Sequence, residues 1–186
     1  MKKIYIILLF PFLVCGCIIT NTPGFHSGYK KIAPDQKENI IFVEGDIDIC
    51  NIKNDRKIYA VTAAQLLNCL QNNDSTIVYF WSPNCSSKSC VLLDAAQNYC
   101  DKQNYRLYVI TEYYDLKKIE AQNNSGLSLF SINHKYYKTD YCNKYVKLFS
   151  REMIKNKDSG EEDDHYRYFL FHQDSFVRRK ENLFDP

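Results

Sequence analysis

Ile77-Val78-Tyr79-Phe80-Trp81-Ser82-Pro83-Asn84-Cys85, followed by Ser86-Ser87-Lys88-Ser89-Cys90, decides how the rest of this chain is read. A β-branched and aromatic run stops abruptly at Ser-Pro-Asn, a cysteine follows, and Val91-Leu92-Leu93-Asp94-Ala95-Ala96 then carries a helical pattern. The run from Thr76 to Trp81 is apolar almost without alternation, which fits a strand buried on both faces. The spacing predicts a helix that starts just after Cys85 and continues to about Lys102. A cysteine at such a junction meets unpaired backbone N–H groups and the positive end of the helix dipole, both of which stabilise a thiolate. Cys90 stands ready to capture Cys85 as a disulfide. On one continuous helix, five residues turn through about 500°, so a direct bridge requires Cys85 in the loop before the helix, or local unwinding. The motif points to redox chemistry.

Outward from this run, elements alternate. Residues 40–43 and 57–61 read as strands, and Thr62 reads as the N-cap of a helix over 63–71 with Ala63, Leu66, Leu67 and Leu70 on one face. Residues 105–111 form a second buried strand, and 116–121 a short helix. An amphipathic helix is expected from Thr139, with Tyr141, Tyr145, Leu148, Phe149 and Met153 on its core side. Residues 166–172 and 175–178 form a hairpin across Gln173-Asp174. The order implies an α/β fold, a central sheet with flanking helices. Cys85 falls where a strand's carboxyl end meets a helix, the usual place for a site in such sheets.

The amino-terminal residues read differently. Lys2 and Lys3 precede an apolar run over 4–14 that is too short to span a membrane. Val14-Cys15-Gly16-Cys17 resembles a bacterial lipobox, which implies cleavage after Gly16 and lipidation of Cys17. On that reading 1–16 is a signal peptide, 17–38 a lipid-anchored tether and 39–182 the folded domain. The residue after Cys17 is not Asp, and no acidic cluster follows. In a Gram-negative cell this implies the outer membrane, facing the periplasm.

The whole chain carries 24 basic and 22 acidic residues. Removal of Lys2 and Lys3 leaves 22 against 22, a neutral balance that argues against nucleic acid as a partner. Export favours persistent disulfides. Cys69 and Cys100 lie within apolar helical patterns and read as small core residues, whereas Cys50 and Cys142 read either as a bridge or as two free thiols. His134, His165 and His172 show no ligand spacing and read as surface residues, so no metal or cofactor site is expected. The acidic run Glu161-Glu162-Asp163-Asp164 reads as a solvated loop, and the tyrosine-rich stretch over 127–145 as core packing or as a partner-binding insertion.

The element order and Phe80-Trp81-Ser82-Pro83-Asn84-Cys85 resemble the thioredoxin fold, specifically exported, membrane-anchored thiol–disulfide oxidoreductases. The resemblance implies Cys85 as the nucleophile, and Cys90 as its partner in place of the family's Cys-X-X-Cys, whose second position here is Lys88. Tyr79 stands where the family has a buried acid, and Tyr166 stands near its cis-proline. Envelope protein thiols or disulfides are the implied partners. A non-catalytic thioredoxin-like lipoprotein that binds an envelope partner is the alternative. The spacing Pro83-Asn84-Cys85-Ser86-Ser87-Lys88-Ser89-Cys90 also resembles atypical two-cysteine peroxiredoxins, a third reading.

Overall fold

In a computed structural model of the chain, the residues described are 22–45, 47–52, 55–124, 126–155 and 166–185. Cys17, the tether's first residues, the acidic run and His165 lie outside them. The elements are β1 (Ile40–Phe42), β2 (Ile58–Val61), α1 (Ala63–Leu70), β3 (Thr76–Trp81), α2 (Leu93–Gln103), β4 (Arg106–Thr111), α3 (Leu116–Gln122), β5 (Leu129–Ile132), α4 (Cys142–Met153), β6 (Tyr168–His172) and β7 (Ser175–Lys180). The strands form one mixed sheet of seven in the order β1-β2-β5-β4-β3-β6-β7. The first five positions run parallel, and β6 and β7 are antiparallel additions beside β3.

Alternation along β3 divides the interior in two. Val78 and Phe80 point into a core with Leu66 and Leu70 of α1 and Tyr145 and Phe149 of α4. Ile77, Tyr79 and Trp81 point the other way, against Leu93 and Ala96 of α2 and Ile119 of α3. All six residues of β3 are buried, which explains the unbroken apolar run. Thr62 caps α1 as expected and does so reciprocally: its hydroxyl accepts the Gln65 N–H, and the Gln65 side chain accepts the Thr62 N–H.

Four expectations require correction. The helix after Cys85 begins only at Leu93, because Ser86, Ser87 and Ser89 favour turns and a Cys85–Cys90 bridge cannot close along a helix. β5 lies within 127–145, where no strand was expected; it inserts between β2 and β4. The α4 helix starts at Cys142, so Tyr141 is an exposed cap rather than a core residue. Residues 22–38 are not wholly a tether: Ser27 and Ile32 are buried, the Ser27 N–H donates to the Asp140 carbonyl (2.9 Å), and the Tyr114 N–H donates to the Ser27 carbonyl (2.7 Å). This strap turns through Gly28 at φ +79°, where a Cβ would run into the Tyr114 carbonyl oxygen.

Cysteine pairing also differs. Cys69 is bridged to Cys50, stapling the β1–β2 connection to α1, while Cys142 is a free buried thiol. The bridge joins residues 19 apart in sequence, and closing a loop of that length stabilises a fold by about 3 kcal/mol. We expect a Cys50→Ala/Cys69→Ala variant to lose about that much unfolding free energy in urea. A loss below roughly 1 kcal/mol would show that this staple does not hold the connection.

Candidate active site

The carboxyl ends of β2, β3, β4 and β5 lie at one end of the sheet, and the loop carrying both motif cysteines leaves from there. Each flank of this loop is fixed by a different element. After β3, the Asn84 N–H donates to the Tyr113 hydroxyl (3.2 Å), the Asn84 amide donates to Asp115 (2.9 Å), and Gln122 of α3 donates to the Pro83 carbonyl (2.9 Å). The Cys85 N–H closes a turn onto the Ser82 carbonyl (3.1 Å).

Around Cys90 the anchors are two tyrosines. Tyr79 and Tyr168 stack with ring centroids 4.5 Å apart, one from β3 and one from β6. The Tyr168 hydroxyl donates to the Ser89 carbonyl (2.8 Å) and accepts the Val91 N–H (3.4 Å); the Tyr79 hydroxyl donates to the Val91 carbonyl (2.9 Å). The peptide groups on both sides of Cys90 are therefore held from below. Burial pushes both phenols above the ordinary tyrosine value, so they remain protonated donors at neutral pH.

Cys85 and Cys90 are bridged, and each is partly exposed. The Ser87 hydroxyl lies 3.3 Å from the Cys85 sulfur and 3.5 Å from the Cys90 sulfur, so one donor serves either sulfur when the bridge opens. Lys88 is exposed on this loop. Because α2 starts at Leu93, the helix's amino end lies closer in sequence to Cys90 than to Cys85. The helix dipole therefore does not reach Cys85 as the sequence led us to expect, since its effect fades beyond the first turn.

Behind the loop lies a cleft of about 280 Å³, lined among others by Ser82, Glu112, Cys142, Tyr166 and Arg167. Glu112 follows β4 directly and pairs with Arg167 at 3.3 Å, with side chains only 19% and 22% exposed respectively. Arg167 also donates to the Phe80 carbonyl (3.2 Å), so this pair ties β4 to the end of β3 and the start of β6. Burial pushes the Glu112 carboxyl up, and the Arg167 guanidinium and Ser82 hydroxyl pull it partly back. Neither residue was expected from the sequence; the available signal was a carboxylate directly after one predicted strand and a guanidinium at the start of another.

Of the remaining thiols, Cys142 donates to the Glu112 carbonyl (3.4 Å), and burial pushes both Cys142 and Cys100 up to about 12. Neither forms appreciable thiolate at neutral pH. His134, expected at the surface, is buried among Tyr29, Phe42 and Tyr114 with its basicity lowered by that burial. Among the described residues no cluster of His, Cys, Asp and Glu could hold a metal ion. No helix among them is long and apolar enough to cross a membrane. Comparison with protein-family models, curated proteins and solved structures finds no match.

The Glu112 shift has a measurable consequence. A carboxyl raised in the folded state favours folding below its unfolded value and loses that contribution as pH rises through the folded value. In the wild type, part of the stability should therefore fall as pH rises from the ordinary glutamate range toward neutrality. Glu112→Gln cannot titrate and should flatten that component, whereas Arg167→Leu should steepen it by removing the opposing charge. Urea midpoints across pH 4 to 7.5 read this directly, and parallel profiles for the wild type and Glu112→Gln would exclude Glu112 as the source.

Proposed function

We propose that this chain is an exported, lipid-anchored thiol–disulfide oxidoreductase that works through Cys85 and Cys90. The observation that carries this reading is the contrast among its cysteines. Among the described residues, two thiols are buried and protonated and one bridge joins the half-buried Cys50 to the fully buried Cys69, whereas the Cys85–Cys90 bridge has both of its cysteines partly exposed and stands at the carboxyl end of an interior strand. A thioredoxin-like ancestry is supported by the sequence β2-α1-β3-α2-β4 and the closing antiparallel pair β6-β7. On that reading α3-β5 is an inserted unit that moves β2 one place outward.

The chemistry needs no bound cofactor. In the reduced protein, the Cys85 thiolate attacks one sulfur of a substrate disulfide, and the other leaves as a thiolate. Cys90, deprotonated, then attacks the Cys85 sulfur; the first substrate sulfur leaves and is protonated, and the Cys85–Cys90 bridge is formed. Two electrons pass to the substrate, and a dithiol reductant restores the pair. The Ser87 hydroxyl is placed to donate to the sulfur that carries charge at each stage.

The late start of α2 favours a second reading. Without a helix end at Cys85 the thiolate loses the dipole's support, and on this reading the bridge serves only to shape a partner-binding surface. Turnover separates the two readings. With a disulfide peptide and a dithiol reductant, Cys85→Ser should abolish reduction, and Cys90→Ser should accumulate a mixed disulfide through Cys85, detected by mass. Unchanged partner binding with no turnover in the wild type would support the binding protein. The peroxidase reading requires peroxide consumption that stops in the same variants.

A further inference from the structure

The structure assigns an orientation to this molecule that the lipobox alone does not: we infer that the carboxyl end of the sheet, carrying the Cys85–Cys90 loop, rests against the bilayer. The inference depends on lipidation of Cys17 and deepens the proposed function by naming where its substrates lie. The strap over 22–28 is pinned to that end by hydrogen bonds on both sides, including the Cys142 N–H to the Phe25 carbonyl (3.1 Å). Between Cys17 and Thr22 the chain has five Cα steps, a reach of at most about 18 Å. A compact domain of this length is roughly 40 Å across. An anchor that short, emerging beside Phe25, brings this end of the sheet to the lipid surface and leaves the opposite end too far away.

The surface presented there suits a membrane interface. Phe25 (43% exposed), Tyr136 (57%) and Tyr141 (54%) project from the strap and from the β5–α4 connection, both at this end. Phe25 and Tyr141 form one edge-to-face pair, with centroids 5.6 Å apart. Exposed lysines stand in the same connections: Lys30 after the strap, and Lys135 and Lys138 before α4. The two tyrosine rings with their polar tips, flanked by lysines, favour the headgroup layer of an anionic bilayer, with the apolar Phe25 ring beside them. Two acids at this end are engaged: Asp140 holds Ser27 and His26, and Asp115 caps α3. The substrates that fit this placement are protein thiols or disulfides close to the membrane surface.

The test uses the full processed protein on vesicles of phosphatidylcholine and phosphatidylglycerol, after intact mass has established lipid on Cys17. Lysines are acetylated briefly and mapped by peptide mass. Lys30, Lys135 and Lys138 should label at least several-fold more slowly than Lys102 and Lys155, which end α2 and follow α4 at the far end of the sheet. A Tyr136→Ser/Tyr141→Ser variant should lose much of that difference while remaining vesicle-bound through its lipid. Uniform labelling with lipid present overturns the orientation and leaves the redox reading standing. Protection that appears equally without vesicles and grows with protein concentration also overturns it, indicating a second copy on this surface. Absence of lipid on Cys17 overturns the anchor itself.

Discussion

Burial of β3 on both faces is the constraint on which the rest of this structure depends. Each large side chain withdrawn from water contributes about 1.5–3 kcal/mol, and Ile77, Val78, Tyr79, Phe80 and Trp81 are all withdrawn together. An exposed ion pair such as Lys155–Asp174 is screened by solvent and adds little. The packing of β3 therefore outweighs any surface interaction described here. It also fixes where the strand ends. Beyond Trp81 the chain leaves both cores at once, and the cysteine loop is the segment it releases.

That loop is held by its flanks rather than by a helix. Asn84 is tied to Tyr113 and Asp115 on one side, and Cys90 is bracketed by Tyr79 and Tyr168 on the other. The stacked tyrosines occupy the α2 side of β3 and β6, so the same burial that fixes the strand also positions the second cysteine. On the other face, Glu112 and Arg167 join three strand ends behind the site. The chemistry proposed for Cys85 and Cys90 thus rests on thiols placed by loop anchors, with a shared serine hydroxyl as donor.

Much of this was legible in the sequence, and the exceptions have physical causes. β3 and β4 were readable because unbroken apolar runs mark strands buried on both faces, and α1 because its apolar residues follow the helical period. The loop position of Cys85 was readable as a condition of bridging to Cys90. The extent of α2 was not, because a five-residue bridge overrides the helical pattern of Val91 and Leu92. β5 escaped because it is short and carries Ser131, whose burial is made tolerable by a hydrogen bond to the Tyr114 hydroxyl (2.8 Å) from another element. The Cys50–Cys69 bridge and the Glu112–Arg167 pair join elements distant in sequence, which no local pattern encodes. The strap escaped for the same reason, since its partners are Tyr114 and Asp140.

On the proposed function, one disulfide is for exchange and the other for structure. Equilibration of the folded protein across a graded series of thiol–disulfide buffers, with rapid alkylation and mass mapping of all six cysteines beyond Cys17, tests it most directly. Cys85 and Cys90 should open and close together, reversibly, under conditions in which Cys50 and Cys69 remain bridged and Cys100 and Cys142 stay unmodified. Opening of Cys50–Cys69 first, or a Cys85–Cys90 bridge that resists reduction until the protein unfolds, would contradict it.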